Sequence, residues 1–369
     1  MADKLKRAAT LALYWKDGKL VCENYRIRSR AAISARAVEI LDYHHTWRTF
    51  EQSVANFRNC SPFLLLCAVR QLTSLSLLVR EGTEQAQKDD SCEKAWSDWL
   101  PEAGLLHFGC NDAPFSESEG EQRRLFQAYL QETPQPAFSK SHPGLAVLPL
   151  PPPSRQEVNF REVLFARRTH REFSAELLTL GHLSTLLHDT WGVTGTIHSG
   201  LFGELPLKTS PSGGARHPEE VYVCALRVEG LTPGIYHYVS DAHLLERIQD
   251  GLTPARVVEY CAGQSWAGSA AALFVMTAVF ARTMWKYRFS RAYRVVLAEA
   301  GHLCQTFCLV ACSLGLGPFS TMALKDSLIE ADLGIDGVTE SVLYVAGVGA
   351  PFAATTAPAQ LSNLAAKDK

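Results

Sequence analysis

The spacing of apolar and polar residues divides the chain before any motif is considered. Leu11-Ala-Leu-Tyr-Trp15 and Leu20-Val-Cys-Glu-Asn24 flank a Lys-Asp-Gly turn at 16–18, which predicts a β-hairpin. Three helical signals follow. Ile33, Ala37, Ile40 and Leu41 keep a 3.6-residue period, Thr49 and Gln52 have capping-box spacing ahead of Val54 and Phe57, and Ser61-Pro62 is an N-cap and first-turn proline before a long apolar helix. Residues 77–82 read as a wing strand and turn. Strand, three helices and wing is the order of a winged helix-turn-helix, a unit that binds DNA in some settings and peptides in others, so the pattern leaves the partner open.

Seven of the 18 prolines fall at 134, 136, 143, 149, 151, 152 and 153, in a stretch with little period of its own. Pro151-Pro-Pro153 predicts extended polyproline II, and residues 131–154 read as a semi-rigid linker. Beyond it, helices and strands alternate. A helix is expected from about Thr179 through Leu183, Leu186 and Leu187, with strands at 220–226, 234–239 and 273–280. A long helix at about 290–314 and a last strand at 341–346 complete an α+β domain. The expected organisation is a winged-helix-like domain at 1–130, the linker, a second domain at 155–355 and a tail at 356–369.

Composition narrows the class. The 369 residues are 47% hydrophobic and 20% charged, which suits two soluble cores and excludes disordered, collagen-like and coiled-coil architectures. No apolar segment follows Met1, and no apolar run approaches the roughly 20 residues that span a bilayer, so a cytoplasmic protein without a membrane partner is expected. The ten cysteines include no C-x-x-C pair, which argues against a disulfide framework or a structural metal. Cys304, Cys308 and Cys312 recur every four residues and read as small buried hydrophobes on one helix face. The net charge of −2 conceals an asymmetry: residues 1–82 carry 13 Lys and Arg against 7 Asp and Glu, or +6, leaving −8 for the remainder. The N-terminal part is the better docking site for an acidic partner, although a solvated basic face accounts for the same charge.

Four constellations could carry chemistry. Arg167-Arg168-Thr169-His170-Arg171 puts three guanidinia and a hydroxyl within five residues, a donor set for phosphate oxygens or for the electron-rich edge of a flavin; a solvated helix face has the same spacing. Ser210-Pro211-Ser212-Gly213-Gly214-Ala215-Arg216-His217-Pro218 precedes a strand, and its glycines let backbone approach a planar or phosphorylated ligand, or simply make a turn. Lys286-Tyr287 precedes the long helix; buried together they could act as base and proton relay, and in solvent they are only a helix start. Gly315-Leu316-Gly317-Pro318 ends that helix, as a C-cap or as backbone beside a ligand.

Together with Gly230-Leu-Thr-Pro-Gly-Ile-Tyr-His-Tyr238 and Glu299-Ala-Gly-His-Leu-Cys-Gln305, these segments resemble the SagB-type dehydrogenases, FMN enzymes of the nitroreductase superfamily, over roughly residues 155–352. The resemblance implies a central, mainly antiparallel sheet flanked by helices, a homodimer with FMN in clefts at the subunit interface, and oxidation of peptide thiazolines or oxazolines to thiazoles or oxazoles. It places Arg167, Arg168, Thr169 and Arg171 on the flavin phosphate, ribityl chain and ring edge, Pro211, Ser212, Gly213 and Gly214 on a second flavin loop, and Gly315, Leu316 and Gly317 beside the cofactor. Lys286 and Tyr287 fall on the Lys-Tyr pair of azoline oxidases. Thr169 replaces the commoner Ser, and 347–352 lacks the basic residue that other nitroreductases often use for phosphate. Trp99-Leu-Pro-Glu-Ala-Gly-Leu-Leu-His-Phe108 also resembles the N-terminal portion of some SagB-type chains.

The expected function is FMN-dependent azoline oxidation in the maturation of a ribosomally made peptide. Lys286 is the base, helped by Tyr287, and the N-terminal domain holds an acidic leader or a cyclodehydratase partner. Oxidation of a carrier-tethered substrate and NAD(P)H-dependent nitroreduction are alternatives with the same cofactor. A flavin-sensing, DNA-binding regulator is the alternative of another class; it needs flavin but no base, so the Lys-Tyr pair weighs against it and against a nucleic-acid partner.

Overall fold

The computed structural model describes residues 3–113, 115, 118–155 and 157–352; the expected tail at 356–369 lies outside these. The chain forms two compact units, Met1–Pro114 and Phe115–Lys369. In the first, β1 (Lys4–Arg7) is followed by β2 (Leu11–Lys16), β3 (Lys19–Asn24) and β4 (Ser29–Ala32), an antiparallel meander. The predicted hairpin is present, with Asp17 and Gly18 both at positive φ in its turn. Helices α1 (Ala35–Tyr43), α2 (Phe50–Asn56) and α3 (Pro62–Ser74) follow, with β5 (Arg48–Thr49) between the first two. Thr49 and Gln52 form the predicted capping box, and Pro62 opens α3. Leu5, Ile40, Leu65, Val69, Leu72 and Leu78 make the core of this unit.

The wing expectation fails in its second half. β6 (Leu78–Arg80) forms, but it pairs back onto β1, and the turn at Gly82 enters α4 (Glu84–Ala95), which Thr83 caps by accepting from Ala86 N. This helix was hidden because its sequence is polar all round and has no apolar stripe. α5 (Pro101–Gly109) completes the unit.

In the second unit, α6 (Glu119–Glu132) precedes the proline-rich stretch, so the boundary expected at 130 falls earlier. Side chains hold it there: Arg288 pairs with Glu132 at 2.5 Å and stacks 3.6 Å from the Tyr129 ring, and Trp285 Nε1 donates to Thr133 O at 3.1 Å. Nor is 131–154 a free linker. Its β7 (Val147–Pro149) is an edge strand, the place in a sheet that tolerates proline, and pairs with β12. The remaining elements are α7 (Phe160–Ala166), α8 (Leu180–Trp191), β8 (Gly195–Ser199), β9 (Gly203–Leu207), β10 (Glu219–Ala225), β11 (Gly234–Val239), β12 (Leu244–Asp250), α9 (Pro254–Tyr260), β13 (Ala272–Val279), α10 (Phe280–Lys286), α11 (Ala292–Ser313), β14 (Gly317–Thr321), α12 (Asp326–Leu333) and β15 (Glu340–Gly349).

A seven-stranded sheet in the order β14-β15-β13-β10-β11-β12-β7, antiparallel at every pairing, is the centre of this unit, as the α+β expectation requires. On one face Trp191 of α8 stacks on Phe274, which also meets Phe307 of α11; on the other, Tyr222, Tyr260, Phe319 and Ile329 pack together. Contrary to the sequence expectation, α11 is long and apolar enough to cross a bilayer. Its apolar residues are instead core: Ala300, Leu303, Phe307 and Ala311 are buried, as are Cys304 and Cys308 of the cysteine stripe. The helix ends as predicted, with Gly315 at φ +73° and Leu316 N bonded to Ala311 O.

Candidate active site

The segment 167–173 leaves α7 and is pinned to β14. His170 N donates to Pro318 O at 2.9 Å, and Phe173 bridges Pro351. Gly317 makes this approach feasible, because a Cβ there would lie 2.8 Å from His170 Cγ. Arg168, Thr169 and Arg171 are exposed, and Arg167 is half-buried near Cys304, Cys308 and Cys312. Arg168 donates to the Phe165 and Arg167 carbonyls, and Arg171 lies 5.6 Å from the Trp266 ring. Among the described residues no carboxylate pairs with Arg167, Arg168 or Arg171, which leaves a concentrated positive charge.

The second loop lies along a different face of α11. Ser210 hydrogen bonds Thr306 at 2.8 Å, His217 N donates to Ser212 Oγ at 2.8 Å, and Gly213 N donates to Glu299 Oε1 at 2.5 Å. Glycine is required twice in succession. A Cβ on Gly213 would lie 2.8 Å from Val295, and one on Gly214, whose φ is +67°, would lie 2.7 Å from Lys286 Nζ and closer still to Tyr287 Oη. Pro211, Ser212, Gly213, Glu299 and His302 border a cavity of about 420 Å³. A second cavity of about 580 Å³, lined by Phe280, Met284, Tyr287, Tyr293 and Val296, begins on the other side of Tyr287.

Lys286 and Tyr287 end α10 and bring the predicted catalytic pair onto the predicted glycine loop. Lys286 Nζ donates to Gly214 O at 3.4 Å, and the rings of Phe202 and Phe126 lie 4.5 and 5.3 Å from it. Burial, then the nearby Arg216 charge, lower the Lys286 ammonium to about 8. Burial raises the Tyr287 phenol above its ordinary value, with Arg216 opposing and Glu299 assisting, so it keeps its proton at neutral pH.

Three charged residues here were not assigned roles from sequence. Arg216, only 1% exposed, donates through Nε to Gly214 O at 2.9 Å. Glu219, at the start of β10, and Glu299 are both buried, and each has one carboxyl oxygen without a hydrogen-bond partner. Burial and mutual repulsion push Glu219 well up; burial raises Glu299 as well, opposed by the Gly213 N–H. Glu219-Glu220 at the head of a strand buried on both faces is the one local sign that such a pair exists.

The predicted flavin contacts do not all converge within one chain. The arginine segment adjoins 315–318 and the Cys304–Cys312 stripe, whereas the glycine loop adjoins Val295, Glu299 and Thr306 together with Lys286 and Tyr287. Glu299 and Cys304 lie about 140° apart around α11, at about 100° per residue.

Residues 164–350 match the nitroreductase family. A Methanocaldococcus jannaschii protein described as a nitroreductase is 34% identical over 183 residues, 50% of this chain and 88% of its own. The trifolitoxin-processing protein TfxB of Rhizobium leguminosarum bv. trifolii is 32% identical over 176 residues, covering 47% of this chain and 46% of that protein. The microcin B17-processing protein McbC of Escherichia coli is 31% identical over 140 residues, covering 37% and 51% respectively. The match thus spans about half the length of each peptide-processing relative.

Proposed function

The chain belongs to the nitroreductase family of flavin-dependent oxidoreductases, as a SagB-type member, and from that premise we propose that it is an FMN-dependent dehydrogenase that oxidises thiazoline or oxazoline rings in a peptide to thiazoles or oxazoles. The observation that carries the reading is the meeting of the Lys286 amine and the Tyr287 hydroxyl at Gly214, between two cavities. Simple flavin reduction by a nicotinamide needs no such base.

The residues present fit FMN. Arg167, Arg168 and Arg171 are a phosphate donor set without a competing carboxylate, and the 211–214 backbone is bare of Cβ atoms at its tip. When bound, FMN supplies the two-electron acceptor for a hydride. Because the two sets of contacts diverge within one chain, we assign one flavin to the arginine segment of one copy and the glycine loop of a second, in a homodimer.

Aromatising an azoline removes a proton and a hydride from adjacent ring carbons. Lys286 as free amine takes the proton and becomes ammonium. Tyr287 keeps its hydroxyl proton through neutral pH and donates a hydrogen bond to the ring, and the aromatic surround of Lys286 excludes water from the amine. The apolar cavity beside Tyr287 receives the flanking peptide. The names of TfxB and McbC, both peptide-processing proteins, support a peptide substrate and action beside the enzyme that closes the azoline ring, a cyclodehydratase.

The test is turnover by FMN-loaded protein of a synthetic peptide bearing one thiazoline, followed by mass spectrometry. Loss of two hydrogens without NADPH is the expected result. NADPH-dependent reduction of a nitroarene with no attack on the thiazoline would overturn the reading.

A further inference from the structure

Arg216 is an unusual residue to bury. Its guanidinium lies 4.9 Å from the Phe138 ring, 5.4 Å from Phe202 and 5.7 Å from Trp285, and its Nη2 has no hydrogen-bond partner. No carboxylate pairs with it among the described residues. An uncompensated buried charge is costly, so its retention calls for a use.

The shared carbonyl indicates that use. Gly214 O accepts from Arg216 Nε at 2.9 Å and from Lys286 Nζ at 3.4 Å, so the two nitrogens are at most about 6.3 Å apart, and both face Phe202. One carbonyl can accept two hydrogen bonds, but a pocket walled by aromatic rings does not screen two like charges. Arginine does not lose its proton in proteins and lysine can, so the conflict resolves on Lys286.

We propose that Arg216 is a positioning residue whose fixed charge on the Gly214 carbonyl keeps Lys286 a free amine. Calling that amine the base rests on the proposed function; its protonation state does not. The other charged groups on the surrounding elements are engaged elsewhere. Glu132 of α6 holds Arg288 at 2.5 Å, Glu204 of β9 faces His198 at 2.8 Å, and Glu299 of α11 accepts from Gly213. His217 adds no charge, since burial and the charge of Lys208 lower its imidazolium to about 4. Arg124 of α6 turns back to Gly120 O.

The test is competitive labelling of the full chain with acetic anhydride across pH, reading Lys286 acetylation by mass spectrometry with and without FMN. In the wild type the Lys286 amine is expected to titrate near 8. In Arg216→Met, which keeps length and packing without charge, the midpoint should rise by about one pH unit or more, leaving at least about tenfold less amine at pH 7. Arg216→Gln, which keeps a donor for Gly214 O, should move the same way and serves if the methionine variant does not fold. A wild-type midpoint near that of an ordinary lysine, or an unmoved midpoint in the folded variants, overturns the proposal. With a thiazoline peptide, the acid limb of the pH profile should move upward, whereas a purely structural role would depress rates at every pH. Failure of the wild type to bind FMN would sink the flavin reading while leaving the labelling result intact.

Discussion

Gly214→Ala tests whether the tip of the glycine loop is shaped by the catalytic pair. At φ +67°, alanine adopts left-handed backbone at a cost of about 1–2 kcal/mol. Its Cβ would also lie 2.7 Å from Lys286 Nζ and 2.9 Å from Lys286 Cδ, with Tyr287 Oη nearer. These neighbours are side-chain ends, so the fold survives by swinging them outward, by about 0.7 Å or more to reach ordinary contact. Displacement of about 1 Å at a reacting group can cost about 100-fold in rate. The variant should therefore melt only about 2–8 °C lower, the range for such a strain in a unit of this size, and lose about two orders of magnitude in kcat/KM on a thiazoline peptide. Gly230→Ala is the control, at φ +75° with nothing within 4 Å of the added Cβ. It should show the same small loss in Tm and keep its activity. Equal activity in the two variants would refute the placement of Lys286 and Tyr287 on this loop.

Further expectations follow from the charged groups. Turnover should rise about tenfold per pH unit at low pH and level off above about 8, because the lowered Lys286 group must lose its proton to act as base; a rate that falls through pH 8 would contradict this. Glu219 has a raised folded-state value, so it destabilises the fold progressively as pH rises from its ordinary value near 4.5 toward that raised value. Glu219→Gln should make urea-unfolding stability decline less between pH 5 and 8 than in the wild type, and an equal or steeper decline would contradict the assignment. Arg282, 3% exposed, pairs with Glu220 at 2.5 Å and donates to Ala137 O and His217 O. Arg282→Met should cost about 3–5 kcal/mol by stranding the buried Glu220 carboxylate, read as an earlier denaturation midpoint.

Much of the second unit is legible from local pattern. The period of Leu183, Leu186 and Leu187 marks α8, and apolar runs mark β10, β11, β13 and β15, because these elements are buried in ways that write themselves into the sequence. β12 carries Glu246, Arg247 and Asp250, and β7 carries proline, so neither announces itself; each is defined by the strand beside it. The glycine loop and the Lys-Tyr pair are visible as motifs, yet their meeting at Gly214 is tertiary. Arg216 was within a quoted motif and still went without a role, because the rings that enclose it come from Phe138, Phe202 and Trp285, remote in sequence.

The most direct test of the central claim is the product formed from a thiazoline peptide by FMN-loaded wild-type protein and by Lys286→Ala, with bound flavin measured in both. The account predicts azole from the wild type, and from the variant a full complement of FMN with azole formation reduced about 100-fold or more. Azole formed at the wild-type rate by Lys286→Ala, or none formed by flavin-loaded wild type, would contradict it.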